Sequence, residues 1–181
     1  VFEDGFELAD NDFIDDTAKF HSGWELDSGE VYAYRSGEVY GWTAHSGNQF
    51  LEMNGLKEDP GTISTNVATE VDKTYRLRFA YAKNPNSEES LKMKVFIGTV
   101  TNLTVTASID GANDTVAWEL QDVVFTAKSA NTRIRFQSLA ADEYAVLLDS
   151  VRLDEVVSAK LYAVFSELEN LAKASMKFGE I

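Results

Sequence analysis

The chain has no cysteine and only two prolines among its 181 residues. The missing thiols exclude disulfide staples, cysteine nucleophiles and zinc–thiolate centres together. Only two histidines, His21 and His45, are present, which leaves little material for a base-driven catalytic centre. No Gly-x-Ser-x-Gly elbow, phosphate-binding glycine loop or His-Glu-x-x-His helix occurs, so no enzyme activity is expected. Apolar runs stay well short of the roughly 20 residues of a membrane helix, and no membrane span is expected. Basic residues are also scarce, 16 against 30 acidic ones, for a net charge of −14. Nucleic acid is therefore not an expected partner, because phosphate binding requires a cationic footprint.

What is present suits one globular domain. Hydrophobic residues make up 44% and aromatics 12%, enough for a substantial core at this length. The acidity is compatible with calcium, with an extracellular or cell-surface location and with plain solubility. Val1 opens directly on a strand-like segment, as a mature, processed chain does and as a chain trimmed at that point would.

Strand periodicity runs to about residue 153. Tyr75, Leu77, Phe79 and Tyr81 alternate onto one face; Leu91, Met93, Val95 and Ile97 repeat the pattern, as do Ile134 and Phe136. Further strands are predicted at 38–44, 49–53, 62–69, 102–109, 118–127 and 145–153. Turn chemistry separates them at Ser46-Gly47-Asn48, Asp59-Pro60-Gly61, Asn84-Pro85-Asn86-Ser87 and Asp110-Gly111-Ala112-Asn113. The acidic stretch from Asp10 to Asp16 reads as a surface loop. Many short strands at regular spacing predict an all-β fold, a two-sheet antiparallel jelly-roll sandwich over residues 1–154.

Residues 155–181 change character. Val157, Leu161, Val164, Leu168 and Leu171 recur at alternating four- and three-residue steps, predicting one C-terminal amphipathic α-helix. Glu155 near its start and Lys173 and Lys177 near its end complement the helix dipole. Two readings of the stripe stand: a helix folded back on its own sandwich, or a seam that joins copies of the chain.

Several segments in order carry a resemblance: Asp4-Gly5-Phe6-Glu7, Ser22-Gly23-Trp24, Trp42 to Gly55, Gly61 to Thr65, Lys73 to Ala82, Phe125-Thr126-Ala127 and Leu147 to Leu153. Together they resemble the galactose-binding-like jelly-roll superfamily. Similar domains include bacterial extracellular surface domains with interchangeable C-terminal anchors, related plant cell-wall domains of unassigned function, and xylan- and glucan-binding carbohydrate modules. Bacterial relatives open with Asn-Gly and carry a glycine before the last strand; here Glu3-Asp4-Gly5 and Tyr144-Ala145-Val146 stand at those places. The resemblance implies a structural calcium held by Glu7 and Asp149 at one edge, with carbonyls near Gly47 and Asn48 as co-ligands. The plainer reading has Glu7 and Asp149 capping loops or pairing with Arg152. Asp10, Asp12, Asp15 and Asp16 form a second acidic candidate without the spacing of an EF-hand loop.

A glycan or polysaccharide partner would need exposed aromatic rings for its CH faces and amides or carboxylates for its hydroxyls. Tyr32, Tyr34 and Trp42, followed by His45, Asn48 and Gln49, are the candidates, with Trp24 and Trp42 equally readable as core and Trp118 read as core. Arg76, Arg78, Lys92, Lys94, Arg133 and Arg135 all alternate with core positions and would form a cationic face if their strands share a sheet. Two functions are therefore expected: a secreted, calcium-stabilised, non-catalytic carbohydrate-binding or adhesive module, or a structural subunit of a filament, surface layer or virion surface that assembles through its C-terminal helix.

Overall fold

The computed structural model describes residues 2–156 apart from 9–11, 15–19, 21–22, 39, 56–58, 100, 112–114 and 141–142. The predicted C-terminal helix, with Val157, Leu161, Val164, Leu168 and Leu171, lies outside the described residues. The strands are β1 (Phe2–Asp4), β2 (Asp12–Ile14), β3 (Trp24–Ser28), β4 (Val31–Arg35), β5 (Gln49–Glu52) and β6 (Thr62–Ala68). They continue as β7 (Thr74–Ala82), β8 (Leu91–Ile97), β9 (Thr101–Ala107), β10 (Glu119–Thr126), β11 (Asn131–Ser138) and β12 (Leu147–Glu155).

Two antiparallel sheets result, as the strand periodicity predicts. One has seven strands in the order β10-β7-β12-β5-β4-β2, with β1 added on β12; the other has five, β3-β6-β11-β8-β9. Alternation explains the pairing. Tyr75, Leu77, Phe79 and Tyr81 of β7 point inward, as do Met93, Val95, Ile134 and Phe136 from the facing sheet. Trp24 is 1% exposed and stands among Phe2, Phe6 and Phe136 at ring separations of 5.4–6.0 Å. Its indole Nε1 donates to Asp4 Oδ2 at 3.2 Å, which ties β1 to the core.

One detail of register positions the site. β12 carries β7 along one side and two short strands end to end along the other. β5 takes Leu147 and Leu148, and β1 takes Val151 to Leu153. Asp149 and Ser150 fall in the gap between them, where the β12–β7 register shifts and Ser150 adopts a φ of 54°. The chain leaving β1 and the chain entering β5 therefore both arrive at Asp149.

Two sequence expectations are corrected. The described residues of 38–44 form no strand; they turn over the sheet, with Gly37, Tyr40 and Gly41 in the left-handed region at φ of 81°, 51° and 72°. Asp12–Ile14, expected within a loop, pairs as strand β2 with β4 because Ile14 is fully buried in the core.

Candidate functional site

The gap in β12 is a carboxylate corner. Asp149, fully buried, accepts hydrogen bonds from Ser46 N at 3.0 Å and Ser150 N at 2.5 Å, and a third from the His45 backbone. Burial pushes its carboxyl up to about 6, against the pull of those donors. Glu7 Oε1 accepts from Asn48 N at 2.8 Å and Gln49 N at 3.3 Å. Around the point where a side chain on Gly5 would begin, Glu7 Oε1 stands at 3.6 Å, with Asp149 Oδ1 and Ser46 Oγ both at 3.8 Å. No basic side chain among the described residues pairs with either carboxylate, Arg152 being engaged by Glu3 and Asp154. Two anionic groups and a hydroxyl converging without a counter-charge fit the donor chemistry of a hard cation such as calcium. Among the described residues no group of three or more acidic, histidine or cysteine side chains gathers, so carbonyls would complete such a shell.

The corner holds the loop that roofs an aromatic layer on the outer face of the seven-stranded sheet. Trp42, Phe50, Ala82, Val116 and Leu147 form a cluster separate from the main core, flanked by Tyr34, Ala44 and Trp118. Tyr34 stacks on Phe50 at 5.5 Å and meets Tyr32 at 4.5 Å and Trp42 at 5.6 Å. Tyr40, 68% exposed, lies 5.0 Å above Trp42. Trp118 extends the layer, its ring 5.6 Å from Phe50 and 6.1 Å from His45, with Nε1 donating to Thr43 O at 2.9 Å. Beneath Tyr34 sits Glu52, buried, whose Oε2 accepts from Tyr34 OH at 3.1 Å and whose Oε1 accepts from Asn84 Nδ2 at 2.6 Å and Ala145 N at 3.1 Å. Desolvation holds this carboxyl above its ordinary value while the three donors oppose the rise.

Strain concentrates here. Of the four non-glycine residues with positive φ among the described residues, Phe6, Tyr40 and Ser150 belong to the corner or its loop, and only Asp72 lies elsewhere. Left-handed backbone at three neighbouring points is a feature of sites held in place by their surroundings. Trp42 Nε1 is buried with no acceptor among the described residues, which costs about 1–3 kcal/mol.

The predicted site residues divide. Glu7, Gly47, Asn48 and Asp149 do meet at one corner, and Tyr32, Tyr34 and His45 lie on one surface. Trp42 and Gln49 are each 1% exposed and offer no ring or amide to solvent; Trp42 forms the floor on which Tyr40 lies. Trp118, read as core from the sequence, is half-buried on the outer layer. Tyr40, Glu52 and Asn84 were not singled out as site residues, although Tyr40 lies in the aromatic run that drew attention to the region. Asp10, Asp15 and Asp16 lie outside the described residues. The six alternating cations are split between the sheets, and Arg76, Arg78 and Arg133 pair with Asp122, Asp154 and Asp27, so no single cationic face forms.

Ser150 Oγ lies 2.9 Å from His45 Nδ1, a nucleophile–base distance. Asp149, however, takes the backbone N–H of His45, and no carboxylate orients the ring from its far nitrogen among the described residues. Ser46 Oγ also bonds Ser150 Oγ at 2.7 Å, so the contact reads as loop bracing.

Residues 5–154 match the model of a family described as Protein of unknown function (DUF642). The chain belongs to the DUF642 family. No curated protein sequence matches it. Solved structures place this DUF642 chain among jelly-roll sandwiches. It is 14% identical to the CBM22-1 xylan-binding domain of Xyn10C from Paenibacillus barcinonensis, with a TM-score of 0.51, covering 87% of this chain and 95% of that one. It is 13% identical to the K2 cleaved adhesin domain of Lys-gingipain, with a TM-score of 0.55, covering 87% of this chain and 98% of that one. An isomalto-dextranase of Arthrobacter globiformis, solved with panose, is 16% identical with a TM-score of 0.49; the match covers 72% of this chain and only 23% of that enzyme. The jelly-roll resemblance read from the residues is thus borne out. No helix of the described residues is long and apolar enough to cross a membrane.

Proposed function

We propose that this DUF642 chain is a non-catalytic carbohydrate-binding module that acts outside the cell, and that its ligand lies on the layer formed by Tyr32, Tyr34, Tyr40 and Trp118. The observation that carries the reading is a layer of aromatic rings on the outer face of a sheet, with the 68% exposed Tyr40 at its rim and the exposed polar ring of His45 beside Trp118. Sugars demand that combination, a flat apolar ring for the CH face of a pyranose and fixed polar groups for its hydroxyls. A xylan-binding domain of the same fold makes plant-type polysaccharides the first class to screen.

Calcium is part of the proposal. A cation between Glu7 and Asp149 would neutralise two carboxylates that face no basic partner among the described residues, and would stiffen the His45–Gln49 loop beside the aromatic layer. Depletion of the protein on insoluble polysaccharides, compared for wild type, Tyr32→Ala and Tyr40→Ala, tests the binding face. Loss in both variants, with unchanged melting, supports it; equal retention of both variants refutes it. Melting with calcium and with chelator tests the metal, and identical curves remove calcium from the account.

A further inference from the structure

At the far end of the sandwich the connections that follow β8 and β10, together with Asn66 of β6 and the start of β11, line a cleft of about 500 Å³. That volume lies within the roughly 300–1,000 Å³ of small-molecule sites. Phe125, buried and stacked on Tyr75 at 5.9 Å, is among the residues that line the cleft. Its walls carry Asn66, Lys128, Ser129, Asn131 and Arg133. In a chain with 30 acidic residues, none of the lining residues is acidic and two are cations.

The walls are held in place. Thr69 Oγ1 donates to Ser129 O at 2.9 Å and contacts Thr132 Oγ1 at 2.9 Å, bracing the 128–131 turn from below. Arg133 also lines the cleft, and its guanidinium is occupied by Asp27 at 2.7 Å, Ser64 Oγ at 2.8 Å and Glu25 at 3.5 Å. Lys128 is tied only by an exposed pair with Asp72, at 2.9 Å and with both side chains more than half exposed, a contact easily exchanged for another anion. The side chains of Asn66 and Asn131 bond no other group among the described residues, so their amides are available to a ligand.

We infer that this cleft is a second saccharide site, selective for a sugar carrying an anionic group, its carboxylate or sulfate set against Lys128 and its hydroxyls against Asn66 and Asn131. The site is independent of the aromatic layer, which lies at the β7 end marked by Ala82 while the cleft lies at the end marked by Tyr75. Its lining also differs, since no carboxylate is among the residues that line the cleft.

The test is an amide-shift titration of the full chain, labelled with nitrogen-15, with a uronic acid trisaccharide, a sulfated trisaccharide and the neutral trisaccharide of the same linkage. The two anionic probes distinguish the source of the charge. Expected are shifts at Asn66, Gly98 and the 128–131 turn with at least one anionic sugar, weakening as salt rises, and no such shifts with the neutral one. Lys128→Glu, at an exposed position that leaves folding intact, should weaken that binding about ten-fold, the equivalent of one charge-assisted hydrogen bond. Tyr40→Ala should leave it unchanged, whatever it does to neutral-glycan binding. Equal shifts with all three sugars, shifts confined to the aromatic layer, or no shifts at millimolar concentrations would each overturn the inference.

Discussion

Replacing Gly47 by alanine tests whether the carboxylate corner organises the site. A Cβ at this position would stand 2.0 Å from Glu7 Oε1 and 2.8 Å from its carboxyl carbon, so the carboxylate has to leave. Glu7 then releases the amides of Asn48 and Gln49, which it accepts at 2.8 and 3.3 Å. A left-handed backbone without glycine costs roughly 1–2 kcal/mol, and losing these partly exposed hydrogen bonds adds about 1 kcal/mol. The sum, about 2–3 kcal/mol, corresponds to a melting point lower by about 4–12 °C for a protein of this size. Gly41→Ala is the control, because Gly41 shares the left-handed geometry at φ of 72° but nothing lies within 4 Å of its Cβ position. It should show only the backbone part. Denaturant unfolding of both variants, with calcium and with chelator, gives the comparison. Gly47→Ala should be the less stable by about 1 kcal/mol and should lack the calcium-dependent gain that the proposed site predicts for wild type. Equal destabilisation of the two variants, with calcium dependence intact in both, would refute the corner's role.

Further outcomes follow from the same geometry. Asp149 has its carboxyl raised to about 6, so in chelated protein its contribution favours the folded state below its ordinary value and is lost as pH rises toward 6. The fall amounts to about 3 kcal/mol at most. Glu52 adds a slope of the same sign, so Asp149→Asn should flatten only part of the pH–stability curve measured by unfolding between about pH 4 and 7. Calcium should stabilise more at pH 7.5 than at pH 5, read from the shift in melting point. Trp42→Ala, which empties a site 1% exposed, should cost about 3–5 kcal/mol in unfolding free energy. Tyr40→Ala, by contrast, should change stability by less than about 1 kcal/mol, because its ring is 68% exposed.

The fold was readable because period-two alternation is a direct consequence of strand geometry, and β8 and β11 follow it along their length, as does the first half of β7. The strands that escaped prediction are short or lie at edges, such as β2, three residues long and ending in the buried Ile14. Alternation also assigns a residue to a face without assigning the strand to a sheet, which is why Arg76 and Arg133 were grouped and are apart. The meeting of Glu7 with Asp149 came from resemblance alone; its cause, two short strands abutting along β12, depends on contacts 149 − 7 = 142 residues apart in sequence and has no local signature. The sequence left Trp42 readable either as a sugar-site ring or as core, because a second apolar layer outside the sheet, closed by the turn at Gly37–Gly41, breaks the rule that one face of an antiparallel sheet meets water. Glu52 was passed over because a buried carboxylate shows itself only through partners distant in sequence, here Asn84 and Ala145.

The most direct test of the central claim is retention on a panel of insoluble polysaccharides, measured side by side for wild type, Tyr32→Ala and Tyr40→Ala at matched melting temperature. The account predicts that wild type is retained by at least one polysaccharide and that both variants are released from it. Wild type washing through every polysaccharide, or variants held as firmly as wild type, would contradict it.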